Sequence, residues 1–263
     1  GAPAADEQGR ALSIVLPPGI PGIESLLGGK EGVQNTGDPP VRAVGVADRV
    51  DGWVHDGRLY LRVVDYKTGR KSFSLSDVYY GLGMQMLLYL FTLAGAGQER
   101  YGLETVPAGV LYIPARDDII SAESDMDDAE IAKKRREGLV RSGLLLADTE
   151  VLRAMEHEGA GPRLPVKWKD GVPTGDSLAG TEQLGALARH VEDTLKAIAS
   201  ELRSGSIEAD PCYKSARDNA CLWCDYASAC RFADGEDGDG RRYLPTLKAT
   251  RVWEMLEGDG DNA

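Results

Sequence analysis

Two aspartates, Asp48 and Asp65, stand 17 residues apart in a segment rich in β-type runs, and Asp65 opens the tripeptide Asp65-Tyr66-Lys67. Carboxylates that converge at one end of a sheet can share a divalent cation. Mg²⁺ in particular takes one or two carboxylates and fills its shell with water and phosphate oxygen. The backbone carbonyl of Tyr66 would point into such a site. Side chains alternate along a strand, so Lys67 lies on the same face as Asp65. From there a lysine can orient or deprotonate an attacking water and stabilise the charge growing on phosphorus. Metal, water and lysine together suffice for phosphodiester hydrolysis without a covalent intermediate. Taken alone, Asp-x-Lys after an apolar run describes many solvated strand ends, and Asp48 could equally serve Arg49 or a turn. Asp51 is a further carboxylate on the same run.

A second set of chemistry-bearing residues lies near the other end. The four cysteines, Cys212, Cys221, Cys224 and Cys230, fall within 19 residues, and none precedes them. A disulfide framework spreads its cysteines and needs an oxidising compartment, so this clustering points to a metal or cluster site. The spacing Cys221-x2-Cys224-x5-Cys230 fits an iron–sulfur cluster or zinc. Buried, unligated thiols are the plain alternative.

The elements that must position these residues follow from periodicity. Residues 1–40 are rich in Gly and Pro, with one strand expected at Ala11–Leu16. The runs RAVGVADRVDGWV and RLYLRVVDYK read as strands joined at Asp56-Gly57, a hairpin turn. Val78, Leu82, Met86, Tyr89, Leu90 and Leu93 recur at helical spacing, predicting one helix over Ser76–Ala94 with Ser74 or Ser76 as N-cap. A third strand is expected at Ala108–Ala115, and surface helices at Asp127–Ser142 and Asp148–Glu158. A long amphipathic helix at Thr181–Ser204 and a short one near Thr250–Leu256 complete the list. This order predicts an α/β class, a mixed sheet flanked by helices. The division is into a core over 1–205, with a helical insertion at about 117–180, and a cysteine lobe with tail over 206–263.

The net charge of −12 argues against a nonspecific nucleic-acid coat. Charge is segregated, however. Seven Lys/Arg against four Asp lie between Arg42 and Leu75, and the acid collects at Asp117–Glu130 and from Asp234 onward. Arg49, Arg70 and Lys71 are therefore candidate phosphate contacts. No apolar run has the roughly 18–20 residues of a membrane span. The first residues lack a basic stretch followed by an apolar one, which predicts no secretory leader and a cytoplasmic address. No GxxxxGK[ST] loop is present, so ATP hydrolysis is not expected of this chain.

Three segments, Gly45-Val46-Ala47-Asp48, Val63-Val64-Asp65-Tyr66-Lys67-Thr68-Gly69 and Gln85-Met86-Leu87-Leu88-Tyr89, resemble in order and spacing the RecB-family nucleases of the PD-(D/E)xK superfamily. The resemblance extends over residues 11–256 to the AddB (RexB) family of bacterial helicase–nuclease subunits, through Val78–Leu82, Pro107–Tyr112 and Cys221–Tyr226. It implies a restriction-endonuclease-like sheet, with Asp48 and Asp65 as Mg²⁺ ligands alongside the Tyr66 carbonyl, and Lys67 as the catalytic lysine. Gln85 and Tyr89, one helical turn apart, would position water or the DNA backbone. Cys221, Cys224 and Cys230 would hold a [4Fe–4S] cluster in an iron–sulfur lobe, with a fourth ligand lying before Gly1. Cys212 stands where the family has an aromatic residue. Many RecB-family nucleases also use a histidine from an upstream helix, and no histidine here precedes Asp48.

The function so implied is Mg²⁺-dependent exonucleolytic hydrolysis of DNA during double-strand break repair by recombination. The substrate would be a single strand from an unwound duplex end, and the partner the AddA helicase–nuclease subunit. A Cas4-like stand-alone nuclease and a catalytically inactive DNA-end or partner-binding module are the alternatives. The long stretch between the third strand and the cysteines favours the AddB-type reading, and the intact Asp48, Asp65 and Lys67 argue against an inactive module.

Overall fold

The computed structural model describes residues 12–16, 41–69, 71–115, 126–155, 163–236 and 239–258. In chain order, β1 (Leu12–Leu16) and β2 (Val41–Gly45) pair antiparallel, and then β3 (Arg49–His55) and β4 (Arg58–Lys67) form a hairpin. Its turn is Asp56-Gly57, both at positive φ, the geometry that matches the twist of two antiparallel strands. A crossover of α1 (Leu75–Tyr79), α2 (Gln85–Gly95) and α3 (Gly97–Tyr101) leads to β5 (Glu104–Pro114), which lies parallel to β4. There follow α4 (Asp128–Gly138), β6 (Ser142–Leu146), α5 (Thr149–Met155), the hairpin of β7 (Lys167–Lys169) with β8 (Val172–Thr174), β9 (Leu178–Ala179) and α6 (Thr181–Ser204). The central sheet has the order β3-β4-β5-β6-β9 and mixes antiparallel with parallel pairs, as expected for its class.

Three expectations are corrected. The single helix at Ser76–Ala94 is two, because Gly81 and Gly83 both take left-handed backbone between α1 and α2, a conformation that ends a helix. Ser74 does cap α1, its hydroxyl accepting from the Asp77 amide at 3.2 Å. Ser76 is buried instead and accepts from the Leu247 amide at 3.0 Å. The stretch 117–180 is no helical insertion, since it contributes β6 and β9 to the sheet. Leu144 and Leu145 are both fully buried, one on each face, so β6 lacks the alternation that marks a half-exposed strand. α5 in turn is no surface helix, for Val151 and Leu152 are buried.

The larger core lies between one face of the sheet (Leu59, Leu61, Val63, Val110, Leu144) and the helices α2, α6 and α8 (Ala249–Gly258), with Leu87, Leu90, Leu187, Val252 and Trp253 at its centre. The opposite face packs Val64, Leu111 and Leu145 against Leu152 and Leu164. Burying one leucine or valine side chain stabilises by about 1.5–3 kcal/mol, so these two layers hold the sheet rigid.

The cysteine segment forms a small lobe of β10 (Cys212–Ser215), β11 (Asp218–Asn219), a 3-10 turn at Ala220–Trp223, α7 (Ala227–Cys230) and β12 (Arg242–Tyr243). It is tied to α1 by Lys214, whose ammonium lies 2.8 Å from Asp77 Oδ2. The chain then returns to the main core through α8. Among the described residues no helix is long and apolar enough to cross a membrane.

Candidate active site

The end of β4 outruns its hairpin partner. The last β3–β4 pair is Arg49 with Val64, so Asp65, Tyr66 and Lys67 extend past β3 while still paired to β5. Asp48, in the turn before β3, closes the gap, its Oδ2 accepting from the Tyr66 amide at 3.0 Å. The amide and carbonyl of one extended residue point to the same edge of a strand. The Tyr66 carbonyl is therefore directed to the edge that Asp48 occupies.

Asp65 and Lys67 project from the α2 face. Lys67 Nζ lies 2.6 Å from Asp65 Oδ2, and this oxygen is buried and, that ion contact apart, receives no hydrogen bond. The Asp65 carboxylate raises the Lys67 pKa above the ordinary lysine value, with Tyr112 and Asp48 adding to the effect against a desolvation penalty. Lys67 is thus an ammonium at neutral pH. Of the two roles expected for it, orienting water and stabilising charge fit, and deprotonating water does not. A buried carboxylate oxygen short of partners calls for a cation or a donor. Asp48 and Asp65, with a backbone carbonyl between them, are the hard-oxygen donors that suit Mg²⁺, which needs no cage of three side chains.

The helix motif does not act as expected. Tyr89 is buried, and Gln85 donates from Nε2 to its hydroxyl at 2.9 Å. The Tyr89 ring lies flat on Gly45, where an added Cβ would sit 2.6 Å from Cε1 and Cζ. Glycine at 45 thus lets α2 press against the start of the turn that carries Asp48. Tyr89 fixes that turn, and Gln85 fixes Tyr89.

Asp51, the further carboxylate, points to the opposite face. It accepts from Arg62 at 3.1 Å through Nε and at 2.5 Å through Nη2, and from Arg49 Nε at 2.6 Å. Burial would raise its pKa, but these hydrogen bonds win and lower it. Arg49 also donates to the Tyr66 hydroxyl at 3.1 Å, on the face turned away from Asp65. It is therefore no phosphate contact for this site. Arg58 pairs with Glu104, so four of the seven basic residues between Arg42 and Leu75 are held by carboxylates. Lys71 is exposed, while Arg70 and the Arg42 side chain lie outside the described residues.

One neighbour of the site was missed. Tyr112 lies on β5 directly opposite Asp65 in register, and Lys67 Nζ stands 5.9 Å from its ring centroid. A bulge places it there. Leu61 pairs with Pro107 but Arg62 with Gly109, so β5 gains a residue at Ala108 and its facing parity reverses. Gly109 has φ 138°, and a Cβ there would strike the Leu144 carbonyl and come within 2.9 Å of Leu145 Cα. The Pro107-Ala108-Gly109 interruption of an apolar run is the signal that could have revealed the bulge.

The cysteines are less gathered. Cys221 lies in the 3-10 turn, Cys224 follows it, Cys230 ends α7, and all three are exposed, with Cys212 partly buried. Among the described residues no three His, Cys, Asp or Glu side chains meet closely enough to hold a metal ion. As they stand, the thiols do not form a cluster cradle.

Comparison with known proteins defines the class. The chain matches the PD-(D/E)XK nuclease superfamily over residues 17–231 and belongs to it. Its particular likeness is to proteins named as the AddB-type component of an ATP-dependent helicase/deoxyribonuclease. It is 36% identical over 222 residues to that of Clostridium botulinum (strain Loch Maree / Type A3), covering 82% of this chain and 19% of the relative. It is 35% identical over 219 residues to that of Ruminiclostridium cellulolyticum (82% and 19%), and 31% identical over 229 residues to that of Thermoanaerobacter sp. strain X514 (84% and 20%). The chain thus spans about a fifth of the length of the curated relatives it matches.

Proposed function

We propose that this domain hydrolyses DNA phosphodiester bonds in a Mg²⁺-dependent reaction, as an exonuclease acting on a single strand. The observation that carries the reading is the under-partnered Asp65 oxygen, in contact with the Lys67 ammonium and beside Asp48. Asp48, Asp65 and the Tyr66 carbonyl would hold the metal. Bound there, Mg²⁺ supplies charge neutralisation at the scissile phosphate and eases deprotonation of the attacking water. Lys67 donates hydrogen bonds that orient the water and stabilise negative charge on the phosphoryl oxygens. A new P–O bond forms from water, the ester P–O bond breaks in line, and the departing strand takes a proton. Tyr89 and Gln85 hold the Asp48 turn in place during this step.

The similarity to AddB-type proteins favours a module of a helicase–nuclease over a Cas4-like stand-alone enzyme. On that reading the strand is delivered by unwinding, AddA is the partner, and the setting is cytoplasmic recombinational repair of double-strand breaks. Exposed Cys221, Cys224 and Cys230 are retained in the proposal as [4Fe–4S] ligands that converge only with a fourth ligand from outside this chain. Iron and zinc analysis of the full-length protein, with its visible absorption, tests that part. The inactive-module alternative gains from the presence of only two converging carboxylates.

The test is cleavage of a labelled linear single strand with Mg²⁺, with EDTA and Lys67→Ala as controls. Loss of cleavage in both controls supports the nuclease. Binding without cleavage by the unaltered chain would turn the reading to the inactive module.

A further inference from the structure

We propose that Tyr112 is a positioning residue for Lys67, its ring forming the seat that holds the lysine ammonium beside Asp65. The inference rests on the hydrolytic reading and deepens it. A lysine reaches its site on a flexible four-carbon stem, and its ammonium is a point charge without preferred direction. With 35% of its side chain exposed, Lys67 needs more than one carboxylate oxygen to keep it in place. The second contact is the face of Tyr112, which attracts a cation through the ring quadrupole at separations up to about 6 Å.

The seat is rigid where the lysine is not. Tyr112 is 6% exposed and belongs to the larger core with Val110 and Leu144. It sits in register with Asp65, so one strand pair fixes both partners of the ammonium. The β5 bulge decides which side chain fills the place. Without the extra residue at Ala108, parity would send Tyr112 to the α5 face and present a neighbouring aliphatic residue to Lys67.

The experiment compares Tyr112→Phe, Tyr112→Leu, Tyr112→Met and Lys67→Ala in Mg²⁺-dependent cleavage of a single-stranded oligonucleotide. Loss of the ring in the Leu or Met variant is expected to lower kcat about tenfold at unchanged KM, and Phe to restore it to within about twofold. A second readout needs neither metal nor activity. In protein carrying ¹³C-labelled lysine, the Lys67 ε-methylene resonance, assigned through Lys67→Arg, should lose its ring-current displacement in Leu or Met and keep it in Phe.

A folded Leu or Met variant with wild-type kcat and an unmoved resonance would overturn the proposal. So would a loss that Phe fails to restore, which would place the effect on the hydroxyl. If the unaltered chain does not cleave, the hydrolytic reading fails, while the resonance still decides whether the ring seats the lysine.

Discussion

Each face of the β3–β4 hairpin carries an aspartate against basic side chains, and the two sets differ in what they leave unmet. On the α5 face, Asp51 accepts three hydrogen bonds from Arg62 and Arg49, and the one unpartnered buried group is a donor, Arg62 Nη1. That donor adjoins a small cleft lined by Trp53, Tyr60 and Met155, where a water can serve it. On the α2 face the unmet group is an acceptor, the buried Asp65 oxygen. A charged pair that is fully bonded is architecture. One that leaves a carboxylate oxygen short, at the end of a strand its partner has abandoned, is built to receive a cation.

The sharpest break between the two sets is expected in catalysis. Lys67→Ala or Asp65→Asn should lower Mg²⁺-dependent cleavage by about 10³-fold or more, the scale of losing a group that stabilises transition-state charge. Thermal unfolding should stay within about 1 kcal/mol of the unaltered chain, because such sites are not optimised for stability. A large loss of stability in both variants would instead make this pair structural, like that of Asp51.

Gly109→Ala tests the device that aims Tyr112 at the site. Its Cβ would meet strand backbone at a strained φ, so the cost should be about 3 kcal/mol in urea unfolding. A cost below about 1 kcal/mol would mean that the bulge yields easily. Asp51→Asn, with no contact to the α2 face, should leave kcat within about twofold and remove about 2 kcal/mol of stability at neutral pH. The folded state lowers the Asp51 pKa, so its contribution is present above the ordinary value of about 3.9 and is lost as pH falls through the lower folded value. The stability gap between the two proteins should therefore be constant from pH 5 to 7 and shrink below about pH 4. A gap that persisted at low pH would contradict the assignment.

The smallest effect is expected at Arg49. Its side chain is half exposed, so Arg49→Ala should change stability by no more than about 1 kcal/mol. It should also leave DNA affinity and its salt dependence unchanged, since the guanidinium faces away from Asp65. Weakened binding with a shallower salt slope would show that DNA reaches both faces.

Much of this arrangement is legible in the residues alone. Period-2 alternation fixes Asp65 and Lys67 on one face, the Asp-Gly turn fixes the hairpin, and α6 falls where its apolar stripe predicts. What stays hidden depends on contacts distant in sequence. Arg49 and Asp48 are adjacent in the chain, yet only strand register shows that one serves Tyr66 and Asp51 while the other completes the site. Tyr89 reads as a residue that touches substrate until its ring is seen on Gly45. β6 carries no periodicity because both its faces are buried, and a helix reading of its surroundings was the natural consequence.

The return of α8 to the main core bears on how the chain is made. Val252, Trp253 and Leu256 fill the same interior as Leu61 and Leu90, and the Leu247 amide is the partner of the buried Ser76 hydroxyl, 171 residues earlier. A ribosome delivers α8 after every strand of the central sheet has emerged. Until then the layer over α1 and α6 is open and the Ser76 hydroxyl lacks its donor. Contacts so far apart in sequence close slowly. The nascent sheet therefore waits, with an apolar flank exposed, for some ten residues made after the rest of the core.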